Sequence, residues 1–146
     1  MKYLKYLRYL LVHKWFVFVE CAKLGIWWRG IVHDMSKFLP SEFFPYANKF
    51  FGIRTPEAME AFKLAWLRHQ KLNRHHWQWW ELWSDNGSVE MLEITDEYRR
   101  EMLADWRGAG RAQGKGDDVR EWYLKNKNNI RFNSHTRAWI EAQIGI

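Results

Sequence analysis

Apolar residues recur at intervals of three and four positions along almost the whole chain, and alternating runs of β-branched residues are few. This spacing is typical of an amphipathic α-helix, whereas a half-buried strand requires strict alternation. With 146 residues, the chain is long enough to bury one hydrophobic core. We therefore expect an all-α fold, a single domain over residues 1–146 built as a bundle of about six helices.

Glycine, proline and helix-capping residues indicate where these helices begin and end. The predicted helices cover residues 3–24, 28–37, 56–83, 95–106, 118–127 and 134–143. Pro40, Pro45 and Gly52 are expected to break the chain into a loop or short helical turns. A glycine-rich loop is predicted over 108–116, and residues 88–94 are ambiguous, with extended backbone as one option.

Composition restricts the compartment and the type of partner. A formal net charge of +6 favours anionic partners, such as a small phosphorylated substrate or a nucleic acid. The lone Cys21 excludes an internal disulfide and fits a reducing cytoplasm. Charged residues interrupt the apolar N-terminal stretch, so we expect no membrane-spanning segment. The oligomeric state stays open.

The dipeptide His33-Asp34 places an imidazole beside a carboxylate, and catalytic divalent metals use both ligand types. A single His-Asp pair occurs often by chance, so its weight comes from its companions. His13 precedes the pair and Asp105 follows it, each on a predicted helix. We predict that these residues ligate metal together.

Three further histidines lie in the long helix predicted over 56–83. His69 and His76 are seven residues apart and share one helix face, about 20° out of line. His75 is turned about 120° from His69, which makes it the weaker alternative to His76. Two histidines at this separation hardly converge on one ion, so a dinuclear site is favoured.

Two polar residues are predicted to assist the ligands. Asn73 shares the helix face of His69 and His76, and its amide could orient a ligand or bind substrate. Glu101 lies one turn before Asp105 and could accept a hydrogen bond from a ligand imidazole. An ordinary exposed glutamate is the equally weighted alternative for Glu101.

The candidate ligands form an ordered series: His13, His33-Asp34, His69, His75-His76 and Asp105. This order resembles the HD-domain superfamily of metal-dependent enzymes, and Lys37 matches a lysine often found three residues after its His-Asp pair. The interval from His69 to His76 is shorter than in many dinuclear members. The resemblance implies a helical bundle that binds two divalent transition-metal ions, drawn from Mn, Fe, Co, Ni and Zn.

The runs 33–38, 69–76 and 101–106 look more closely like an uncharacterised family common in bacteriophages, and this resemblance covers nearly the whole chain. It brings no settled activity. For a phage-encoded protein, the expected location is the host cytoplasm.

The leading functional expectation is a phosphohydrolase that acts on a nucleotide or a related phosphate ester. Asp34 and Lys37 are the predicted catalytic residues, and Lys37 is also expected to bind the substrate phosphate. Arg107 and Arg111 are predicted to close over that phosphate from the glycine-rich loop.

Two alternatives use the same residues differently. The first is a di-iron oxygenase, as inositol oxygenase and its HD-domain relatives imply by resemblance. The second is a basic, Trp-rich protein without catalysis that binds nucleic acid or a host protein through exposed Trp rings and cationic side chains. The basic composition ranks phosphate chemistry ahead of oxidation.

Overall fold

The structure, a computed structural model, describes residues 1–146. Its seven α-helices are α1 (Lys2–Lys23), α2 (Trp27–Val32), α3 (Pro40–Phe51), α4 (Pro56–Leu72), α5 (Asp96–Ala112), α6 (Val119–Asn126) and α7 (Ser134–Gln143). An antiparallel hairpin pairs β1 (Glu81–Trp83) with β2 (Val89–Met91). Short 3₁₀ turns cover Met35–Phe38, Trp77–Trp80 and Lys127–Asn129. The prediction of an all-α fold is confirmed, with seven helices instead of about six.

Helix α1 lies at the centre of the packing, in contact with α2, α3 and α5. Gly108 of α5 allows the closest approach, because a Cβ there would lie 2.5 Å from Val17 Cγ2 and 2.9 Å from the Val17 backbone nitrogen. Gly30 of α2 has the same role, because its Cβ would lie 2.6 Å from Phe18 Cα. Helices α2 and α5 therefore approach α1 nearly backbone to backbone. No helix combines the length and apolar character that a bilayer crossing requires.

The buried face of α1 changes from apolar to polar and back to apolar. Leu10 belongs to an apolar cluster with residues of α3 and α4, and Val17 belongs to another with Ala104 of α5. His13 lies between them, one turn from each, and is only 3% exposed. A polar layer thus crosses the interior at the level of His13.

The helix predicted over 28–37 is wrong in its second half. Helix α2 ends at Val32, and Asp34 adopts φ 54°, the only positive φ outside glycine. A left-handed residue with a Cβ costs roughly 1–2 kcal/mol, with Asp among the better tolerated. The contacts that the buried Asp34 side chain makes with its neighbours offset that cost.

The long helix predicted over 56–83 is also wrong, because α4 ends at Leu72. Asn73 adopts extended backbone, and its amide donates to the His69 carbonyl (2.9 Å) and to Ser36 Oγ (3.0 Å). A side chain that hydrogen-bonds in this way competes with helix continuation. The chain then enters the 3₁₀ turn and the hairpin, whose strand β2 is the extended segment considered for residues 88–94.

Two segments expected to be irregular contain regular helix: the one with Pro40 and Pro45, expected to be a loop or short helical turns, and the first half of the glycine-rich loop predicted over 108–116, whose second half is a loop. Helix α3 begins at Pro40, which suits a first helical turn, and it continues through Pro45 because Tyr46 and Ala47 are buried against α1 and α4. Helix α5 runs on to Ala112 through the first glycines assigned to a loop. Those glycines serve close packing, since a Cβ at Gly110 would lie 2.4 Å from Asp118 Oδ1.

Candidate metal centre

Five parts of the chain bring imidazole and carboxylate groups to one interior site. They are His13 of α1, His33 and Asp34 after α2, His69 of α4, His75 and His76 after α4, and Glu101 and Asp105 of α5. All except His76 and Asp105 are at most 3% exposed. The fold therefore brings together every residue that the sequence suggested as a ligand, including both members of the pair His75-His76.

Asp34 is at the middle of this cluster, and its two oxygens face different histidines. Oδ2 lies 3.7 Å from His13 Nε2 and 3.3 Å from His33 Nε2. Oδ1 lies 3.2 Å from His69 Nε2 and 3.3 Å from His75 Nε2. The left-handed backbone at Asp34 thus accompanies a carboxylate shared by two halves of the site.

Each half offers four groups. In the first, Asp105 Oδ1 lies 3.1 Å from His13 Nε2 and 3.4 Å from His33 Nε2, and Asp34 completes the set. The second consists of Asp34, His69, His75 and His76. The expectation that His69 and His76 would hardly converge on one ion is therefore wrong, because α4 ends at Leu72 and the turn after it brings His76 beside His69. Within each half the ligand atoms lie within 4.8 Å of one another.

Glu101 supports two of the imidazoles and is not an exposed helical glutamate. Its Oε1 accepts a hydrogen bond from His33 Nδ1 at 2.9 Å and lies 3.2 Å from His75 Nδ1. Its other oxygen pairs with Arg29 Nη2 at 2.7 Å. A carboxylate on Nδ1 leaves the Nε2 lone pair directed at the centre of the site.

Glu42 of α3 does the same for His69 and was missed from the sequence. It is fully buried, and its Oε2 accepts from His69 Nδ1 at 2.8 Å and from Ser36 Oγ at 2.9 Å. The available signal was an acidic residue inside an aromatic run, hidden because that run was assigned to a loop. Asn73, predicted to orient a ligand or to bind substrate, donates to Ser36 and the His69 carbonyl and lies 3.1 Å from His69 Nδ1, beside a predicted ligand, and it does not line the cavity.

Burial and charge act in opposite directions on these groups. Burial lowers the pKa of His33, but neighbouring carboxylates, Asp34 foremost, hold that pKa well above its ordinary value. Burial raises the pKa of Asp34, yet His33 and Lys37 hold it well below its usual range. Burial and the adjacent imidazoles depress the pKa of His76, so His76 is neutral, the form that ligates metal.

The residues present fit a divalent transition metal. Buried atoms without a hydrogen-bond partner include Asp34 Oδ1 and the Nε2 atoms of His13, His33, His69, His75 and His76, whereas Asp34 Oδ2 pairs with Lys37. Buried charges in proteins are paired or bind metals. Ligands about 2.0–2.2 Å from one ion lie roughly 3–3.6 Å apart. The separations here, 3.1–3.7 Å, match, and imidazole with carboxylate suits Zn, Fe, Mn, Co and Ni.

A cavity of about 630 Å³ opens beside the cluster. His13, His76 and Asp105 line its polar end together with Lys37, whose Nζ lies 2.6 Å from Asp34 Oδ2. Nine of the 14 lining residues are hydrophobic. This volume is within the range of small-molecule sites, so a small molecule would fit beside the cluster.

Arg107 and Arg111 are not brought to the site. On α5 they are turned about 160° and 120° from Asp105, and neither lines the cavity. Arg111 pairs with Glu20 at 2.8 Å, and Arg107 approaches Asp117 at 3.7 Å. The prediction that a flexible loop carries them is wrong, because tight helix packing at the glycines keeps this segment helical.

Together, the fold and the cluster define an all-α protein with a buried histidine–carboxylate centre. Residues 2–146 match a family described as a family of unknown function, DUF5662. The chain belongs to this family. No curated protein and no solved structure matches it.

Proposed function

We propose that the protein is a metal-dependent phosphohydrolase that cleaves a phosphate ester at a dinuclear site centred on Asp34. One observation carries the proposal: a single buried carboxylate faces two groups of histidines whose Nε2 atoms have no hydrogen-bond partner. The order of these residues also resembles the HD-domain superfamily. The lone reduced Cys21 and the absence of a spanning helix are compatible with a cytoplasmic enzyme.

The two halves of the cluster assign the ligands. His13, His33, Asp34 and Asp105 would hold one ion, and Asp34, His69 and His76 the other, with His75 as an additional donor. Bound divalent ions lower the pKa of a water molecule and polarise phosphoryl oxygens. Asp34 contributes to both halves, so it orients the two sets of ligands relative to each other.

The chain itself supplies the remaining elements. Lys37 provides a positive charge at the polar end of the cavity, where charge develops on the phosphoryl oxygens. Glu42 and Glu101 fix the histidine tautomers by accepting hydrogen bonds from Nδ1 atoms. The predicted ligands are largely buried, as Asp34 and His33 at 1% exposure show, which strengthens these interactions.

The test compares Asp34→Asn with Asp85→Asn, a matched change at an exposed hairpin position. Both proteins are analysed for bound metal, for helical circular dichroism and for phosphate release from esters with Mn²⁺, Co²⁺ or Fe²⁺. Asp34→Asn should lose metal-dependent hydrolysis while it stays helical, and Asp85→Asn should match the parent. Full turnover in Asp34→Asn would show that the site is wrongly assigned.

Lys37→Ala separates charge stabilisation from metal binding. Removal of the cation should slow turnover, while metal content stays unchanged because no lysine is needed as a ligand. Loss of metal in Lys37→Ala would contradict the role assigned to this residue.

A di-iron oxygenase is the second candidate, and one observation favours it. Lys37 is the only Lys or Arg among the residues that line a mostly apolar cavity, so an uncharged substrate would also fit. Iron retained after aerobic purification, with oxygen uptake and no phosphate release, would place this candidate first. Salt-sensitive DNA binding that survives Asp34→Asn would instead support a non-catalytic nucleic-acid protein.

A further inference from the structure

The cavity beside the metal centre carries little positive charge. Lys37 is its only lysine or arginine, and its other charged or imidazole residues belong to the cluster itself. Nearby arginines are already paired, Arg29 with Glu101 and Arg111 with Glu20. Proteins that bind di- and triphosphates surround them with several cations or backbone N–H donors. This cavity suits one phosphate group better than a chain of them.

The rest of the cavity is aromatic. Phe50, Phe62 and Trp66 are on its wall, and Phe51 lies at the same side. Phe50 is 53% exposed and Phe51 37% exposed, so a ligand in the cavity would cover large apolar surfaces that water now contacts. Covering such surface favours binding by about 25 cal/mol per Å².

The wall provides few hydrogen-bonding groups for a polar ring. Gln113 contributes the only amide among the lining residues. The hydroxyls of Tyr6 and Tyr46 are buried without a partner, and the Lys37 ammonium lies 5.5 Å from the Tyr46 ring centre. Tyr46 is therefore on the Lys37 side of the cavity, and Tyr6 is next to it, with the two ring centres 6.2 Å apart.

We infer that the substrate is a phosphate monoester of an aromatic or similarly apolar alcohol, an inference that rests on the proposed hydrolase activity. The phosphate binds at the polar end, near Lys37, Tyr6 and Tyr46. The apolar group lies among Phe50, Phe62 and Trp66. Water attacks phosphorus, the bond from phosphorus to the ester oxygen breaks, and the ester oxygen takes up a proton. The products are inorganic phosphate and the free alcohol.

The activity test compares 1-naphthylmethyl phosphate (the naphthyl ester), methyl phosphate, a nucleoside monophosphate and a nucleoside triphosphate, each with Mn²⁺; the first two both release an alkyl alcohol, so their difference reports the ring and not the leaving group. Burial of the naphthyl ring should raise kcat/KM over methyl phosphate by about tenfold to a hundredfold. The triphosphate should be the poorest substrate, because only one cation faces the cavity. A triphosphate or nucleoside monophosphate preferred over the naphthyl ester would overturn the inference and leave the hydrolase intact.

Substitutions of aromatic residues on the cavity wall test where the apolar group of the substrate binds. Phe50→Ala and Trp66→Leu should each reduce the discrimination between the naphthyl ester and methyl phosphate by about tenfold. Phe50 is half exposed, so its truncation should not unfold the protein. Trp83→Ala is the matched control, since Trp83 is 60% exposed on the hairpin and does not line the cavity.

A binding measurement distinguishes the inferred ligand preference of the cavity from the proposed hydrolase activity. Calorimetry with 1-naphthylphosphonate, which is not hydrolysed, should give binding that weakens about tenfold in Phe50→Ala and is unchanged in Trp83→Ala. Such binding without phosphate release from any ester would support the cavity preference while the hydrolase proposal fails. Equal affinity for 1-naphthylphosphonate and methylphosphonate would overturn the inference, whatever the enzyme hydrolyses.

Discussion

Glu42→Gln should weaken metal binding in only one half of the site. The Glu42 carboxylate contacts His69 but none of the other predicted ligands, whereas Glu101 contacts His33 and His75. A glutamine keeps the size of the side chain and removes its charge. The variant should therefore bind one ion as tightly as the parent and the other more weakly.

The expected loss of metal affinity follows from the hydrogen bond between His69 and Glu42, in which glutamine replaces a charged acceptor with a neutral one. The hydrogen bond from His69 Nδ1 to Glu42 is 2.8 Å long and fully buried. A hydrogen bond to a charged group contributes about 1.5–3 kcal/mol. With about 1.4 kcal/mol for each factor of ten, affinity should fall roughly tenfold to a hundredfold. This range agrees with the general cost of changing groups that orient metal ligands, also about 10–100-fold.

The assay is titration of the metal-free protein with Mn²⁺ or Zn²⁺ in a calorimeter, which gives both stoichiometry and affinity. Glu60→Gln is the matched control, because Glu60 is on α4, is exposed and pairs only with Lys63. Circular dichroism verifies that both variants stay folded. Two equivalent binding steps with parental affinity in Glu42→Gln would refute the reasoning, as would equal weakening of both steps.

Three further predictions concern stability and reactivity. Gly108→Ala should lower the free energy of unfolding by about 1–2 kcal/mol in urea titrations. Crowding of the new methyl group against Val17 costs about 1–3 kcal/mol, which exceeds the gain in helix propensity. An unchanged unfolding midpoint would contradict this prediction. Mn²⁺ at a hundredfold excess over its Kd should stabilise the parent by about 2.7 kcal/mol for each ion bound, seen as a raised Tm, and an equal rise in Asp34→Asn would argue against the site. Burial raises the pKa of Cys21 to about 12, so iodoacetamide near neutral pH should label this thiol only after unfolding, and rapid labelling of the folded protein would contradict its burial.

The local sequence pattern predicted correctly those helix ends that neighbouring residues determine. Apolar spacing predicted α1 within a residue at either end, and Thr55-Pro56 predicted the start of α4. The grouping of His13 and Asp105 with Asp34 was predicted from residue type and order, which indicate a candidate metal site even where local conformation is predicted wrongly. Their convergence did not require accurate helix boundaries.

The errors arose where distant contacts override local preference. Asn73 ends α4 through a hydrogen bond to Ser36, which lies far away in the sequence. In the sequence, Gly108 is typical of a loop. In the structure, Val17 occupies the space that a side chain at position 108 would need. Glu42 was missed for the same reason, since its partner His69 belongs to another helix. None of these contacts is visible within a window of neighbouring residues.

The shared carboxylate of Asp34 also bears on how the molecule folds. Its neighbours come from residues as far apart in the chain as His13 and Asp105, so the centre forms only after α1 and α5 have come together. Contacts between such distant segments slow folding, because a long loop must close first. A cation held there would act as a reversible cross-link between the two ends of that loop. Its loss would speed unfolding, and metal supply would then set the lifetime of the protein as well as its activity.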